Sequence, residues 1–237
     1  MQKMIFDGTE KRIGTGAQAE VMLYRGYAYK IYKPSYPTEW IEFEKRQQKA
    51  VNDAGLCNVR YYDTDDNHII KMDYIDGEML ETKALTGDIN CFHILADAFR
   101  FVHEKNSDGI DMPHLSDTAG MGLKESEKEE VLEIIARLSG KLKSCVCHLD
   151  MHFLNIMLPR DREDYVIIDW MNARLAPAVF DYARTYVIFD EFSKEGLEAY
   201  KQIVMPGLWK TGIKESDFND AVRVCTIIRK REKNETN

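Results

Sequence analysis

The segment from His148 to Asn155, which reads HLDMHFLN, contains side chains that phosphoryl transfer requires. It has the form H-x-D-x-x-x-x-N, and Asp169 follows fourteen residues after Asn155 at the end of an apolar run. Phosphoryl transfer needs a carboxylate that orients an attacking hydroxyl and accepts its proton, and oxygen ligands that hold Mg²⁺. Each of these residues alone could be structural. Together they predict that Asp150, Asn155 and Asp169 converge on one site.

A glycine-containing stretch from 13 to 21 approximates the pattern G-x-G-x-x-G-x-V. Gly14 and Gly16 occupy the first two glycine positions, and Ala19 replaces the third. Glycines let backbone N–H groups approach a phosphate without an intervening Cβ. A plain glycine-containing hairpin explains the same residues. The expected order of strand, turn and strand does not fit a Rossmann unit, in which a helix follows the glycines directly.

Lys30 lies in the middle of the apolar stretch AYKIY, which is predicted to be a strand. A buried ammonium group is costly without a partner, so Lys30 is expected to pair with a carboxylate or with phosphate oxygens. Glu44 on the following predicted helix is the favoured partner, and Glu42 is the rival. The alternative is a lysine on an edge strand that points into solvent.

Three segments carry a resemblance to a known family: CHLD at 147–150, IDWMNA at 168–173 and FDYART at 180–185. With them, the stretch from 14 to 181 resembles the aminoglycoside phosphotransferase and choline kinase group of protein-kinase-like enzymes. In that group the catalytic loop commonly reads H-G-D and the metal motif reads I-D-W. Leu149 stands where the group usually has glycine.

The resemblance implies a kinase-like, two-lobed α+β fold and an ATP-dependent phosphotransferase that acts on a hydroxyl of a small molecule, of the aminoglycoside, amino alcohol or sugar type. Asp150 would be the catalytic base. Asn155 and Asp169 would bind Mg²⁺. Gly14, Gly16 and Lys30 would bind the phosphates, and Glu44 would position Lys30. The hinge that pairs with adenine would be formed by Asp73, Tyr74 and Ile75. Asp181 and His148 would support the catalytic loop.

The acceptor is expected to carry a hydroxyl, and a cationic amine is favoured over an anionic group. The resemblance points to aminoglycosides and amino alcohols, and acidic side chains in the C-terminal part could attract an ammonium group. The candidates are Asp88, Asp97, Asp190, Glu191 and Glu195. An ordinary solvated surface explains the same carboxylates.

The elements that must position these residues follow from local patterns. Strands near 11–13, 20–24 and 27–32 are predicted, the last two joined by Arg25-Gly26, followed by a helix from Thr38 to Ala54 that ends at Gly55. Two short strands follow, near 59–62 and 68–72. Helical periodicity dominates after Gly77, and Ser126 to Glu129 is predicted to be a capping box. Short buried strands are expected within 145–159 and 165–170, and helices from about 179 onward.

These elements predict a strand-rich N-terminal lobe, residues 1–75, that binds the nucleotide. A larger, mainly helical lobe, residues 76–237, would carry the catalytic residues and bind the acceptor. A cleft between two such lobes could hold both substrates.

Composition excludes several classes of protein. The chain has 237 residues and a formal net charge of −8, which disfavours binding to nucleic acid. Its five cysteines show no disulfide or zinc-finger spacing and are predicted to be free thiols in a reducing compartment. With no apolar run of about 18 residues and no signal-peptide pattern, a cytoplasmic protein that does not bind membranes is expected.

Two other functions compete with the small-molecule kinase. A catalytically silent kinase-like nucleotide-binding module is the first, but silent relatives often lack one of Asp150, Asn155 and Asp169. A protein kinase is the second. Only 11 residues separate Asp169 from Asp181, which leaves no room for a long activation loop, and no A-P-E motif follows.

Overall fold

The computed structural model describes residues 6–236, with side chains described as far as residue 234. Its N-terminal part is a five-stranded antiparallel sheet in the order β1-β2-β3-β5-β4. The strands are β1 Lys11–Thr15, β2 Ala19–Tyr24, β3 Tyr27–Tyr32, β4 Tyr61–Tyr62 and β5 Ile69–Asp73, and helix α1, Thr38–Asp53, lies between β3 and β4 in the chain.

The hairpin between β2 and β3 turns at Arg25-Gly26, as predicted. Both residues have positive φ, 48° and 79°, which is the requirement of the two-residue turns that match the twist of antiparallel strands. Tyr24 pairs with Tyr27 across the turn, and the register continues to Ala19 opposite Tyr32. This register places Lys30 on the central strand β3, opposite Val21 on one side and Ile70 on the other.

Helix α1 presents a partly polar inner face. Glu44, Gln47 and Gln48 are all buried, and each bonds to a residue outside the helix. Gln48 Nε2, for example, donates to the carbonyl oxygen of Val59 at 2.7 Å. The helix ends before Gly55, whose φ of +67° is the left-handed conformation that glycine adopts most easily after a helix.

The C-terminal part is mainly helical. Its strands are β6 Gly77–Met79, β7 Ser144–Cys147, β8 Ile156–Pro159, β9 Val166–Ile167 and β10 Arg174–Pro177. Its helices are α2 Leu80–Ala84, α3 Asn90–His103, α4 Leu115–Thr118, α5 Glu125–Ser139, α6 Ala178–Phe192, α7 Lys194–Ala199, α8 Met205–Trp209 and α9 Glu215–Thr236. The strands form two small sheets, β10-β7 and β6-β8-β9.

The main apolar core lies among α3, α6 and α9 and continues beneath the two small sheets. Phe99 of α3 stacks on Tyr182 of α6 with 4.4 Å between ring centroids. The same cluster of buried side chains also includes Val51 of α1. The sheet-rich and helical parts confirm the predicted α+β class, while the boundary near residue 75 stays a prediction because one core runs across it.

The predicted capping box at Ser126 to Glu129 is wrong. Helix α5 already begins at Glu125, and Lys124 precedes it without a side-chain capping bond. Ser126 therefore lies inside the first turn and not at the capping position. Glu125 and Glu127 in that turn still suit the positive end of the helix dipole.

No helix within residues 6–236 is long and apolar enough to cross a membrane.

Candidate active site

The loop between β7 and β8 brings Asp150 and Asn155 together, as the sequence predicts. It runs from His148 through a 3₁₀ turn at Phe153–Asn155. Asn155 Nδ2 donates to the backbone oxygen of Asp150 at 2.8 Å and to its carboxylate Oδ2 at 3.1 Å. The amide N–H₂ group is thus directed at Asp150, which leaves Oδ1 of Asn155 as the acceptor atom for a ligand.

Asp181 holds this loop from behind. It is fully buried on α6, and its two carboxylate oxygens accept the backbone N–H groups of His148, at 2.9 Å, and Leu149, at 2.8 Å. The ring of His148 is also buried, and its Nε2 lies 3.0 Å from the carbonyl oxygen of Ile168. Both residues therefore contact backbone and brace the loop, in the supporting positions expected of them.

Leu149 has a φ of 58°, a left-handed conformation that disfavours side chains with a Cβ. This explains why glycine is the usual residue at this position of the motif. The hydrogen bonds that the N–H groups of His148 and Leu149 donate to Asp181, together with the packing of the Leu149 side chain against the core, hold the conformation. Leu149 thus adopts the backbone conformation that glycine adopts most easily.

This conformation makes a prediction about the backbone at position 149. Leu149→Ile, which preserves volume but adds a β-branch, should lower the free energy of unfolding by about 1 kcal/mol or more and reduce activity. Leu149→Gly should retain the loop conformation and activity. Urea unfolding would measure both, with Leu175→Ile on strand β10 as the control for a partly buried leucine at ordinary φ. Equal effects of isoleucine at 149 and 175 would contradict the argument.

Lys30 forms the predicted pair with Glu44. Its Nζ lies 2.8 Å from Glu44 Oε1, and Glu44 is only 2% exposed. The hydroxyls of Tyr32 and Tyr61 also donate to this carboxylate, so its position is fixed from three sides. The rival Glu42 instead pairs with Lys45 near the surface, at 2.8 Å.

The same lysine also lies close to Asp169, one of the predicted metal ligands. Lys30 Nζ lies 3.7 Å from Asp169 Oδ1, and the side chain of Asp169 is 46% exposed. Burial lowers the pKa of Lys30, but the charges of Glu44 and Asp169 outweigh it and hold the pKa well above its usual value. The ammonium group is therefore charged and lies between two carboxylates from different parts of the chain.

The geometry of the Lys30–Glu44 pair makes a second prediction. Lys30→Ala should reduce activity by on the order of 10²-fold, the cost of misplacing a group at a reacting centre, and Glu44→Gln should act in the same direction but less. Because both changes disrupt one unit, the double variant should lose less than the sum of the two free energies. Steady-state kinetics of the four proteins measures this. Additive losses would show that the residues act independently.

The glycine-containing hairpin and the hinge both belong to the N-terminal sheet. The hairpin joins β1 to β2, and the hinge begins at the end of β5. Gly16 N donates to Ala19 O at 2.8 Å, which closes the turn between β1 and β2. Along the hinge, Asp73 is engaged with β4: its carboxylate accepts from Arg60 N and from the Tyr62 hydroxyl, each at 2.9 Å.

The next two hinge residues, Tyr74 and Ile75, differ from Asp73. Within residues 6–236 their backbone groups make no hydrogen bond with the rest of the chain. Backbone donors and acceptors that the fold does not use are available to a ligand.

Sequence reasoning missed two side chains beside Asp150. His152 Nε2 lies 3.5 Å from Asp150 Oδ2, and Arg184 is buried on α6, where one of its nitrogens pairs with Glu232 at 2.5 Å. Burial raises the pKa of Asp150, but the hydrogen bond and charge of His152 and the charge of Arg184 lower it to about 2. Arg184 had a signal in the sequence, since it belongs to the FDYART segment, and His152 lies inside the motif itself.

Two open cavities lie away from the catalytic loop. One, of about 450 Å³, is lined by Phe101, Arg162 and Tyr165. The other, of about 360 Å³, is lined by Asn58 and Arg160 together with the three hinge residues. Neither is lined by Lys30, Asp150 or Asp169, and neither combines a nucleophile-orienting carboxylate with metal ligands.

Comparisons with known proteins identify the family and the fold of the chain. The sequence model of the phosphotransferase enzyme family matches residues 10–207. No curated protein is significantly similar in sequence. Among solved structures, the chain is similar to aminoglycoside phosphotransferase APH(3'')-Id from Streptomyces rimosus, with a TM-score of 0.65 and 16% identity over 94% of this chain and 93% of that one.

Two further structures are similar. A choline/ethanolamine kinase family protein from Mesorhizobium loti has a TM-score of 0.63 and 17% identity over 95% of this chain and 79% of that one. Choline kinase LicA from Streptococcus pneumoniae has a TM-score of 0.57 and 16% identity over 94% of this chain and 93% of that one. At these identities the likeness shows the fold.

The chain belongs to the phosphotransferase enzyme family and has the kinase-like fold. The predicted family resemblance, fold and enzyme class, a small-molecule phosphotransferase with an alcohol group as acceptor, are thereby confirmed. Nothing in the comparisons favours the catalytically silent alternative.

Proposed function

We propose that this phosphotransferase moves the γ-phosphate of ATP to a hydroxyl of a small molecule at the site formed by Lys30, Asp150, Asn155 and Asp169. One observation carries the assignment, a continuous series of contacts across the site. Glu44 bonds Lys30, Lys30 approaches Asp169, and Asn155 bonds Asp150. The backbone N–H of Ile168, next to Asp169, donates to Asn155 O at 2.9 Å and joins the two halves.

The proposed metal ligands fit Mg²⁺. Mg²⁺ prefers carboxylate and carbonyl oxygens together with phosphate oxygens and water. Asp169 supplies an exposed carboxylate, and Asn155 supplies the amide oxygen that its bonds to Asp150 leave available. When bound, the ion would neutralise charge on the transferring phosphate.

The proposed nucleotide contacts come from the sheet. Gly14 and Gly16 both have φ outside the left-handed region, and a Cβ added to either would meet its nearest neighbour at 3.4 or 3.5 Å, an ordinary contact. The fold therefore does not require glycine at these positions, which supports a role in letting phosphate approach the backbone. Lys30 would hold the phosphates, and the unused backbone groups of Tyr74 and Ile75 would pair with adenine.

The proposed role of Asp150 is to orient the acceptor hydroxyl and take its proton. In phosphoryl transfer there is little covalent chemistry for the protein to perform, so positioning supplies much of the effect. The bond from Asn155 fixes Oδ2 of Asp150, and Asp181 fixes the backbone that precedes it. Both contacts restrict the carboxylate to one orientation.

The acceptor is proposed to be an amine-bearing alcohol. Of the five acidic candidates, Asp97 contacts Arg100 and Tyr165, and Glu191 pairs with Arg229 and Lys233. These two carboxylates are therefore largely neutralised within the protein. Asp88, Asp190 and Glu195 are exposed, and together with the net charge of −8 they are the remaining support for a cationic acceptor.

This proposal makes a prediction about salt. For a cationic acceptor attracted by acidic side chains, KM for the acceptor should rise as ionic strength rises, because the charges are screened. Steady-state kinetics from low to physiological salt, with KM for ATP as the internal reference, measures the effect. A neutral sugar with salt-independent KM as the best acceptor would remove the cationic assignment and leave the phosphotransferase in place.

An ATP-consumption assay with a panel of aminoglycosides, amino alcohols, sugars and nucleosides tests the function directly. Acceptor-dependent ADP release by the natural chain, lost in Asp150→Asn, is the expected result. ADP release that no acceptor stimulates, at a rate unchanged by Asp150→Asn, would contradict the proposal. A cytoplasmic location stays a prediction.

A further inference from the structure

A cluster of two thiols and an imidazole lies beside Asp181, the residue that braces the catalytic loop. Cys145 and Cys147 are two residues apart on β7, so their side chains point to the same face of the strand. His103, the last residue of α3, faces them, and the potential ligand atoms of the three residues all lie within 4.8 Å of one another.

The distances suit a metal with thiolate ligands. Cys145 Sγ and Cys147 Sγ are 3.9 Å apart, and two sulfurs bound tetrahedrally at about 2.3 Å from Zn²⁺ would be about 3.8 Å apart. Both thiols lie within hydrogen-bond distance of the backbone oxygen of Ala176, at 3.5 and 3.3 Å, and Cys147 Sγ also lies 3.6 Å from that of Pro177. Because a thiol is a weak donor, replacing the S–H protons by a metal would cost little hydrogen bonding.

A second feature orients the imidazole. Asp181 Oδ2 lies 2.9 Å from His103 Nε2, and Asp181 is fully buried. A carboxylate bound to an imidazole is the arrangement that fixes ring orientation and raises ligand basicity in zinc sites. The fold therefore contains two sulfur ligands, a nitrogen ligand and the carboxylate that supports it, all within a shielded part of the core.

We propose that His103, Cys145 and Cys147 bind one Zn²⁺ ion, at a site separate from the proposed Mg²⁺ ligands. On binding, the two thiols lose their protons to solvent and two sulfur–metal bonds form, so that the two thiolate charges balance the dication. Soft sulfur ligands select zinc-class ions over Mg²⁺. The site does not rest on the proposed function, because none of its ligands is assigned to ATP, Mg²⁺ or the acceptor.

Cobalt substitution tests the site through its spectrum. The purified full-length chain, kept reduced and free of oxygen, would be titrated with Co²⁺ and then with Zn²⁺. We expect one equivalent of Co²⁺ to give sulfur-to-metal charge-transfer absorption, and one equivalent of Zn²⁺ to remove it. Native mass spectrometry should count one zinc per chain.

The variants Cys145→Ser, Cys147→Ser and His103→Gln should each weaken Zn²⁺ binding by more than about 100-fold, beyond the loss that a changed outer contact causes. Cys91→Ser is the matched control, since Cys91 is also fully buried and its Sγ donates to a backbone oxygen, that of Leu80. Cys91→Ser should bind like the natural chain. Circular dichroism confirms that each variant is folded.

Two results would overturn the proposal. One is the lack of a sulfur-to-metal band in the natural chain at an excess of Co²⁺. The other is a band that survives in folded Cys145→Ser and Cys147→Ser, which would place the metal elsewhere. If the serine variants do not fold, alkylation of the natural chain by a small thiol reagent takes their place. Zn²⁺ should slow the alkylation of Cys145 and Cys147 and leave the alkylation rate of Cys91 unchanged. Equal alkylation rates of Cys145 and Cys147 with and without Zn²⁺ would reject the site.

Discussion

Asp150→Asn is expected to lower turnover by a factor of about 10² or more, which is the usual contribution of a positioned general base. The substitution removes the anionic oxygen but keeps the size of the side chain and a partner for Asn155. ATP affinity should change little, because Asp150 is assigned to the acceptor and not to the nucleotide. The measurement is kcat with saturating Mg·ATP and the best acceptor, together with a titration of Mg·ATP alone.

The control for this prediction is Asp161→Asn, which changes an exposed aspartate in the loop between β8 and β9. It should leave turnover unchanged. If Asp150→Asn retained the activity of the natural chain, the assignment of Asp150 as the base would fail. A parallel loss of Mg·ATP affinity would instead place Asp150 among the nucleotide ligands.

Asp169→Ala is expected to abolish Mg²⁺-dependent nucleotide binding, and Asn155→Ala to weaken it less. An anionic ligand contributes more than an amide to holding Mg²⁺ against phosphates. Asn155 also bonds Asp150, so its substitution should lower turnover more than its effect on binding accounts for. Calorimetric titration with ATP, with and without Mg²⁺, separates these contributions.

The titration without metal is the internal control, because Asp169 also lies near Lys30. Removing the carboxylate leaves Lys30 free to attract phosphate, so metal-free ATP binding should not fall. The difference that Mg²⁺ makes should disappear. Undiminished Mg²⁺-dependent binding in Asp169→Ala is incompatible with the proposed metal site.

The sequence was sufficient to predict residues that meet through short segments of chain. Asp150 and Asn155 lie in one tight loop, and Lys30 and Glu44 lie on adjacent elements, so motif spacing and the cost of an unpaired buried charge indicated both pairs. The hairpin at Arg25-Gly26 followed from its turn residues. Helix starts were less secure, since Ser126 proved to lie inside a turn.

Contacts between distant segments escaped prediction. His103 bonds Asp181, which is 78 residues away in the sequence. Arg184 approaches Asp150 because α6 runs beneath the catalytic loop, and its pairing with Glu232 depends on where α9 packs. No local periodicity encodes such distances, because they depend on how the helices pack in three dimensions.

The most direct test of the central claim is phosphorus NMR of the natural chain with Mg·ATP and the best acceptor of the panel. The account predicts that the γ-phosphate signal of ATP decays as the signals of ADP and a phosphate monoester grow in equal amounts. The monoester should not form with Asp150→Asn on the same timescale. Conversion of ATP to ADP and inorganic phosphate alone, with every acceptor of the panel, would contradict the transfer of phosphate to a small-molecule hydroxyl.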